Sequence, residues 1–544
     1  LLRGFKVKNM TDEISEIAAQ VQRRAAELTP AKEQPPLDLK FIKDCLDANE
    51  RGDGCMFAAV HRGKYLYNTT PKDGEWFAWN GHVWKKDEFR LALAAIEDCA
   101  LEYQQQADIL KEEIKAEGIH KEHEDAWKLA LYKKYQSRAD RLRSKDGAAK
   151  VLHWAPVIDP TMACRESDFD KQPWLLPAKN GIIDLRTGAL ISGRPEDLLT
   201  RALDIDYDPH ADYTAWQTFV DEVSGCPEVA AFIKRSIGYA ITGHSYEQFI
   251  WVFTGPGRNG KGVLFDLIGD VMRQYYHVIS RAMIIEQRSE PGPSAASEHK
   301  YSLMGKRIIV AAETNKGQKI DAGAVKGLTG DDDIVCRPNF KSEITFKPTH
   351  TIFLHTQYVP VGLTRDFAMV QRLIKVEFPY MYVDDPEAEA LKKPAMASRF
   401  RKKDPTLKDK LRQIKPGILR WMVEGTKEWI DKGLSPPASI LEAVKLLADE
   451  EDFVGRFMLD CLVHFPEDKE IRVPTTEMYN AFKWWWAQNM DESEKRIPAM
   501  KTINGAIREK GHLVDAVGGK TYLYSHAVNQ DITQEVAAFI ANSR

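Results

Sequence analysis

At 544 residues, with 43% hydrophobic and 29% charged side chains, the chain has the composition of ordinary globular domains, which excludes a disordered or fibrous protein. A net charge of −4 gives no global attraction for nucleic acid, so a polyanion would have to meet local basic patches. The seven cysteines are odd in number, scattered and never spaced CxxC, and read as free thiols in a reducing compartment without a zinc knuckle.

The length predicts about three to four domains. No apolar run is long enough to cross a membrane, and no signal peptide is visible. The opening LLRGFKVKNM lacks an initiator Met, so the sequence is read as a piece from which something N-terminal has been cut. Residues 1–37 are polar and end in TPAKEQPP, a helix followed by a linker. A domain of α+β and helical, collar-type character is expected over 38–245. It begins with β-prone runs in GDGCMFAAVHRGKYLYNTTPKDGEWFAWNGHVWKKDEF. Their Tyr65, Tyr67, Trp76, Phe77, Trp79 and Trp84 either stack on bases or fill the core of a small hairpin unit. Residues 85–150 are charged and helical, and their His120 and His123 lack a third ligand for a metal. Short strands with Asn-Gly and Thr-Gly turns follow over 174–210, then a helical stretch that ends in SIGYAITG.

Residues 246–385 are expected to form an α/β core, with FIWVFTG, RIIVAAE, HTIFLHT and RLIKVEF as buried strands of a mostly parallel sheet with helices. The first strand feeds GPGRNGKG, that is Gly255, Pro256, Gly257, Arg258, Asn259, Gly260, Lys261 and Gly262. Glycines there let backbone N–H groups converge on a phosphate, the following helix adds its own donors, and Lys261 neutralises the β- and γ-phosphates. The motif alone is modest and also fits a nucleotide-free turn. Gly262 stands where a Ser or Thr hydroxyl normally helps hold Mg²⁺.

Such a loop needs a carboxylate nearby, and Glu313 at the end of RIIVAAET supplies one. A strand-end glutamate is commonplace; following the loop at this distance makes it a candidate for Mg²⁺ and for polarising water. Gln357, closing HTIFLHTQ, is placed to sense the γ-phosphate. Arg365 and Arg372 precede the last strand, where an arginine from a neighbouring subunit would stabilise charge on the transferring phosphoryl group. Between Glu313 and Gln357, DIVCR and SEITF flank PNFK. This reads as a hairpin with Phe340 and Lys341 at its tip and Arg337 and Lys347 alongside, a ring for bases and charge for phosphates. An ordinary surface hairpin is the alternative for that segment alone.

A helical, basic connector is expected over 386–450, including RFRKKDPTLKDKLRQIK, which either braces the core or lines DNA. Over 451–530, TTEMYNAFKWWWAQNM, AMKTINGAIREKG and HLVDAVGGKTYLYSH run helix, helix, Gly-Gly hairpin, predicting a winged-helix-like DNA-binding domain before a tail at 531–544. Trp484, Trp485 and Trp486 are expected to pack their own core, because three adjacent side chains cannot share one exposed helix face. Lys501, Arg508 and Lys510 either meet phosphates or form a solvated basic face.

Taken in order, the loop ending NGK, the Glu in AAET, VKGLTGDD with its hairpin, the polar strand end and the arginine before IKVEF resemble superfamily 3 helicases of the AAA+ class. The resemblance is greatest to phage, plasmid and satellite-element primase–helicases related to the poxvirus primase-helicase. PWLLPAKNGIIDLRTG, SIGYAITG and EQFIWVFTGPGRNGKG carry it upstream of the loop. It covers about residues 40–527 and is most specific over 174–378. The resemblance implies an ATP- and Mg²⁺-dependent DNA helicase, a homohexameric ring moving 3′ to 5′ on single-stranded and forked DNA at a mobile element's replication fork. It further implies the cytoplasm of a bacterial host, a preceding primase domain or host replication proteins as partners, and no membrane. The family's loop lysine falls on Lys261, its acid on Glu313 and its sensor on Gln357, where Asn is usual. Gln371 and Arg372 take the place of its paired arginines, which leaves Arg372 as the finger acting in trans. Its hairpin falls on residues 334–346. Gly262 and Ala312 thin the metal shell, so Mg²⁺ is expected on phosphates, waters and Glu313. The alternative is a non-catalytic ATP-binding module that assembles on a replication origin.

Overall fold

Strands buried along their whole length belong to a sheet covered on both faces, and both Ile250–Thr254 and Ile308–Ala311 are buried throughout. The computed structural model describes residues 37–71, 73–287, 298–311, 313–337, 343–363, 367–490 and 497–542. It places these two in a five-stranded sheet of β1 (Ile250–Thr254), β2 (Tyr276–Ile279), β3 (Ile308–Ala311), β4 (Thr351–His355) and β5 (Leu373–Glu377). The order is β5-β1-β4-β3-β2 and every pair is parallel. All five carboxyl ends therefore share one edge. From β1 the chain runs to the far side of the sheet and returns strand by strand, before β5 pairs on the other flank of β1. That reversal opens a crevice at the carboxyl end of β1, where open α/β sheets bind ligands.

Successive side chains of β1 go to opposite faces, as the pleat requires. Trp251 and Phe253 join a core with Trp216 and Phe219 of α1 (Thr214–Ser224), Ile233 of α2 (Pro227–Ala240) and Phe265 of α3 (Lys261–Met272). Ile250 and Val252 face Val325 and Leu328 of α4 (Ala322–Thr329), and Val444 and Leu447 of a helix at Ala438–Glu451. Each such large apolar side chain contributes about 1.5–3 kcal/mol on burial. Helix α2 touches the helix Lys415–Lys432 backbone to backbone, since a Cβ on Gly238 would lie 2.1 Å from the Gly425 carbonyl carbon. Buried Arg307 ties the segment before the sheet to it, donating to the Ile241 and Leu175 carbonyls at 2.5 and 2.7 Å.

The chain divides into two compact units, one built from residues up to 78 and 86–164, the other from 79–85 and 165 onward. In the first, Tyr65–Asn68 pairs antiparallel with Glu75–Trp79, as the aromatic runs predict. The stretch before them does not follow that prediction, because Asn49–His61 is a helix despite Gly52 and Gly54. A Cβ on Gly52 would lie 1.8 Å from the Cys45 carbonyl oxygen, and one on Gly54 2.7 Å from Trp154 Cβ. Those glycines serve close contact between segments rather than a turn. Between them, buried Asp53 accepts from Arg138 at 2.7 Å, from Arg141 at 2.5 Å and from the Tyr103 hydroxyl at 3.2 Å.

The last part of the second unit holds a helix at Phe453–Cys461, strands at Leu462–His464 and Arg472–Pro474, helices at Thr475–Asn489 and Met500–Glu509, strands at Val514–Val517, Lys520–Tyr524 and His526–Val528, and, over the expected tail, a helix at Thr533–Asn542. Arg472–Pro474, Lys520–Tyr524 and Val514–Val517 form one antiparallel sheet with Lys520–Tyr524 in the middle, and Leu462–His464 pairs separately with His526–Val528. Gly518 and Gly519 take φ of +60° and +79° at the hairpin tip, a conformation glycine tolerates best. Trp485 and Trp486 are buried against Phe457, Phe482 and Ile503, with Trp484 packed at the edge, as three consecutive tryptophans require. Among the described residues, no helix is long and apolar enough to cross a membrane.

Candidate nucleotide site

The loop after β1 is shaped by steric exclusion. Gly255 has φ +131°, and a Cβ there would lie 2.3 Å from the Phe378 carbonyl oxygen and 2.7 Å from Asn259 Nδ2. Gly260 has φ +92° and would press a Cβ to within 2.6 Å of Val223 Cγ1. Arg258 holds a left-handed φ of +61°, and its carbonyl accepts from Tyr382 N at 2.8 Å. The other side of the loop is open: Pro256 is half-exposed, Gly257 and Arg258 are exposed, and a Cβ on Gly257 or Gly262 would meet nothing within 4 Å.

Lys261 begins α3 and is only 4% exposed, with Nζ donating to the Gly255 carbonyl at 3.0 Å. Burial brings its ammonium down to about 8, while the Glu313 carboxylate works to keep the charge. Asn259 is buried too. Its Oδ1 accepts from Lys261 N at 3.4 Å, and its Nδ2 is a buried donor with no partner among the described residues. An under-compensated cation, an orphaned amide donor and a helix N-terminus beside open space together fit the phosphates of a nucleotide. Oxygen ligands for Mg²⁺ are few: Glu313 is exposed at the lip after β3, and neither Gly262 nor position 312 offers a side-chain oxygen. The donor set fits a Mg²⁺ held chiefly by phosphates, waters and Glu313, the habit of an ion that sheds its waters reluctantly. Bound there, Mg²⁺ would supply charge neutralisation of the phosphates.

Three neighbours escape a reading by motif. His355, the half-buried last residue of β4, stacks on Phe265 of α3 at 5.7 Å and 21°. Burial lowers its pKa, Glu313 and Asp266 oppose that, and Lys261 reinforces it. Thr314 and Thr356 are buried, their hydroxyls 2.8 Å apart and each 2.9 Å from the Tyr358 carbonyl oxygen. They lash the chain after β3 to the chain after β4, which fixes Glu313 relative to the exposed Gln357 next door. A histidine and threonines at consecutive strand ends are the available sequence signal, overshadowed by the amide that follows.

Arg372 lies apart from this cluster. Its carbonyl accepts from Ile250 N at 2.8 Å, at the amino end of β1, and its guanidinium donates to Thr329 Oγ1 at 3.2 Å. The length of β1, about 3.3 Å per residue, separates it from the loop of the same chain. The expected hairpin is present as Ile334–Cys336 paired with Ile344–Phe346, with Arg337 and Lys347 exposed beside it. Phe340, Lys341 and Arg365 lie outside the described residues. The basic connector braces the helix after the loop, with Lys408 on Asp266 and Arg412 on Asp270 at 2.8 Å.

Comparison with known proteins matches two segments of the chain. A family model described as "D5 N terminal like" matches residues 56–225, and one described as "Family of unknown function (DUF5906)" matches residues 253–366, which contain the loop and Glu313. "Putative helicase L207/L206" of Acanthamoeba polyphaga mimivirus is 23% identical over 82% of this chain and 47% of its own length. "Putative helicase V13" of Sputnik virophage is 26% identical over 37% of this chain and 25% of its own. "Putative primase C962R" of African swine fever virus is 21% identical over 67% and 39%. The chain thus spans about half or less of the curated relatives it matches. The apo structure of the NrS-1 C-terminal region aligns at a TM-score of 0.36 and 10% identity over 69% of this chain and 89% of that one, too loosely to carry an argument. The expectation of a bacterial host finds no support in these viral relatives. Two matched segments in sequence order, and relatives named putative helicase or putative primase from viruses and a virophage, support a primase–helicase family of mobile elements.

Proposed function

We propose that the chain is the motor of an ATP-dependent DNA helicase of AAA+ superfamily 3 type, working as a homohexameric ring that moves 3′ to 5′ along single-stranded and forked DNA. The observation that carries this reading is the buried Lys261 at the mouth of a glycine loop, on the shared carboxyl edge of a parallel sheet, with Glu313 close enough to bias its charge. In this scheme Lys261, Asn259 and the amides of residues 255–262 bind ATP, and Glu313 orients Mg²⁺ and the attacking water. Gln357 and His355 face the γ-phosphate. Arg372, held at the opposite end of β1 from its own loop, serves the site of the next subunit, an arrangement natural to a head-to-tail ring. The hairpin with Arg337, Phe340, Lys341 and Lys347 contacts DNA, and the order after residue 452 of helix, two short strands, two helices and a hairpin supports a winged-helix-like module. A primase segment or replication proteins complete the assembly.

Steady-state ATPase and fork unwinding by the purified chain test the reading. Glu313→Gln is expected to remove turnover, and Lys341→Ala to keep basal turnover while losing unwinding. Ring assembly on DNA with no turnover in wild type would instead favour a non-catalytic origin-assembly module.

A further inference from the structure

We propose that His464, His512 and His526 form a transition-metal site, suited to Zn²⁺, that fastens the base of the C-terminal hairpin. One ligand nitrogen from each lies within 4.8 Å of the other two, the group of such side chains found among the described residues. They come from three separate segments. His464 and His526 are direct partners in the antiparallel pair Leu462–His464 and His526–Val528, with rings stacked at 4.4 Å and 14°. His512 comes from the turn before Val514 and meets both rings edge-on, at 5.3 and 4.7 Å.

The orientation of His526 is the second, independent observation. It is 2% exposed, and its Nδ1 lies 2.7 Å from the Tyr524 carbonyl oxygen. A carbonyl can only accept, so Nδ1 carries the proton and Nε2 keeps its lone pair. A backbone carbonyl that fixes the tautomer and leaves the other nitrogen bare is the usual outer support of a ligating histidine. Three imidazoles with no carboxylate suit Zn²⁺, Cu²⁺ or Ni²⁺ and discriminate against Mg²⁺ and Ca²⁺. Zn–N bonds of about 2.0–2.1 Å put tetrahedral ligands about 3.4 Å apart, so nitrogens within 4.8 Å of one another need to close by at most about 1.4 Å. Exposed His464 has the freedom to do so. Three protein ligands leave a fourth position for water. A metal there joins the strand before residue 465, the turn at 512 and the strand after 525, and so clamps the hairpin Val514–Tyr524 onto the module.

The site does not depend on the helicase reading, and the test is separate from ATPase activity. The whole chain is stripped with EDTA, desalted and titrated with Co²⁺ followed by visible absorption, with Zn²⁺ as competitor. The expected result is one Co²⁺ per chain with the intense d–d bands of tetrahedral coordination, displaced by Zn²⁺ and untouched by millimolar Mg²⁺. His464→Ala and His512→Gln, both at positions with solvent access, are expected to weaken binding at least about tenfold. Their metal-free melting should match wild type, and Zn²⁺ should raise the midpoint in wild type only. Wild type with no stoichiometric site, or either variant binding as tightly as wild type, overturns the proposal.

Discussion

Raising the pH from 7 to 9 is expected to weaken ATP binding through Lys261. Burial holds its ammonium at about 8 in the free protein. The protonated fraction is therefore about 0.9 at pH 7, about 0.5 at pH 8 and about 0.1 at pH 9. Phosphates packed against Nζ favour the charged form, so binding must restore the missing proton. Uptake through this group then grows from about 0.1 to about 0.9 proton per site across that range, and the affinity falls about tenfold. On folding, the same shift acts the other way. The unfolded lysine titrates near 10.5, so between about 8 and 10.5 the unfolded chain binds more protons, and the contribution of Lys261 to stability rises with pH. The assay is titration calorimetry with a non-hydrolysable ATP analogue in two buffers of different ionisation enthalpy at each pH. Lys261→Arg is the control, because a guanidinium stays charged throughout and should flatten the profile. Proton uptake near zero at pH 8 to 9, or the same slope in Lys261→Arg, would refute the claim that a buried lysine meets the phosphates.

Two glycines of the loop should respond oppositely. Gly262→Ser is expected to keep or raise the ATPase rate, since its Cβ has open space and the position is helical, whereas Gly255→Ala should lose nucleotide binding because its Cβ would lie 2.3 Å from a carbonyl oxygen. Nucleotide titration and phosphate release distinguish them. In the other unit, Asp53→Ala leaves Arg138 buried without its carboxylate, and should cost about 3–5 kcal/mol in denaturant unfolding. A loss under about 1 kcal/mol would mean that Arg138 finds compensation in the Leu46 and Asn49 carbonyls it also bonds.

How legible these features were depends on how local their causes are. Four strands of the central sheet announce themselves as apolar runs, and the loop as a glycine pattern, because each is set by a few adjacent residues. Strand β2 was missed since Tyr276–Ile279 lies at the sheet edge and buries only Ile279 fully. The helix Asn49–His61 defeated local reading because Gly52 and Gly54 are there for segments distant in space, a reason no short window contains. His355, Thr314 and Thr356 became visible only when parallel pairing brought the ends of β3 and β4 together. The histidine cluster combines residues 48 and 14 positions apart, a spacing no metal motif flags. That Arg372 and Lys261 sit at opposite ends of β1 was likewise invisible until the register of β5 against β1 was known.

The central claim is a nucleotide site completed across subunits, and mixing inactive chains tests it most directly. Lys261→Ala and Arg372→Ala are each expected to abolish steady-state ATP hydrolysis alone. Combined in equal amounts and allowed to exchange, they regenerate intact interfaces wherever the arginine of one chain meets the loop of the other, about a quarter of all interfaces in a random ring. The account predicts that hydrolysis returns towards that fraction of the wild-type rate. No recovery in the mixture, or full activity of Arg372→Ala on its own, would contradict it.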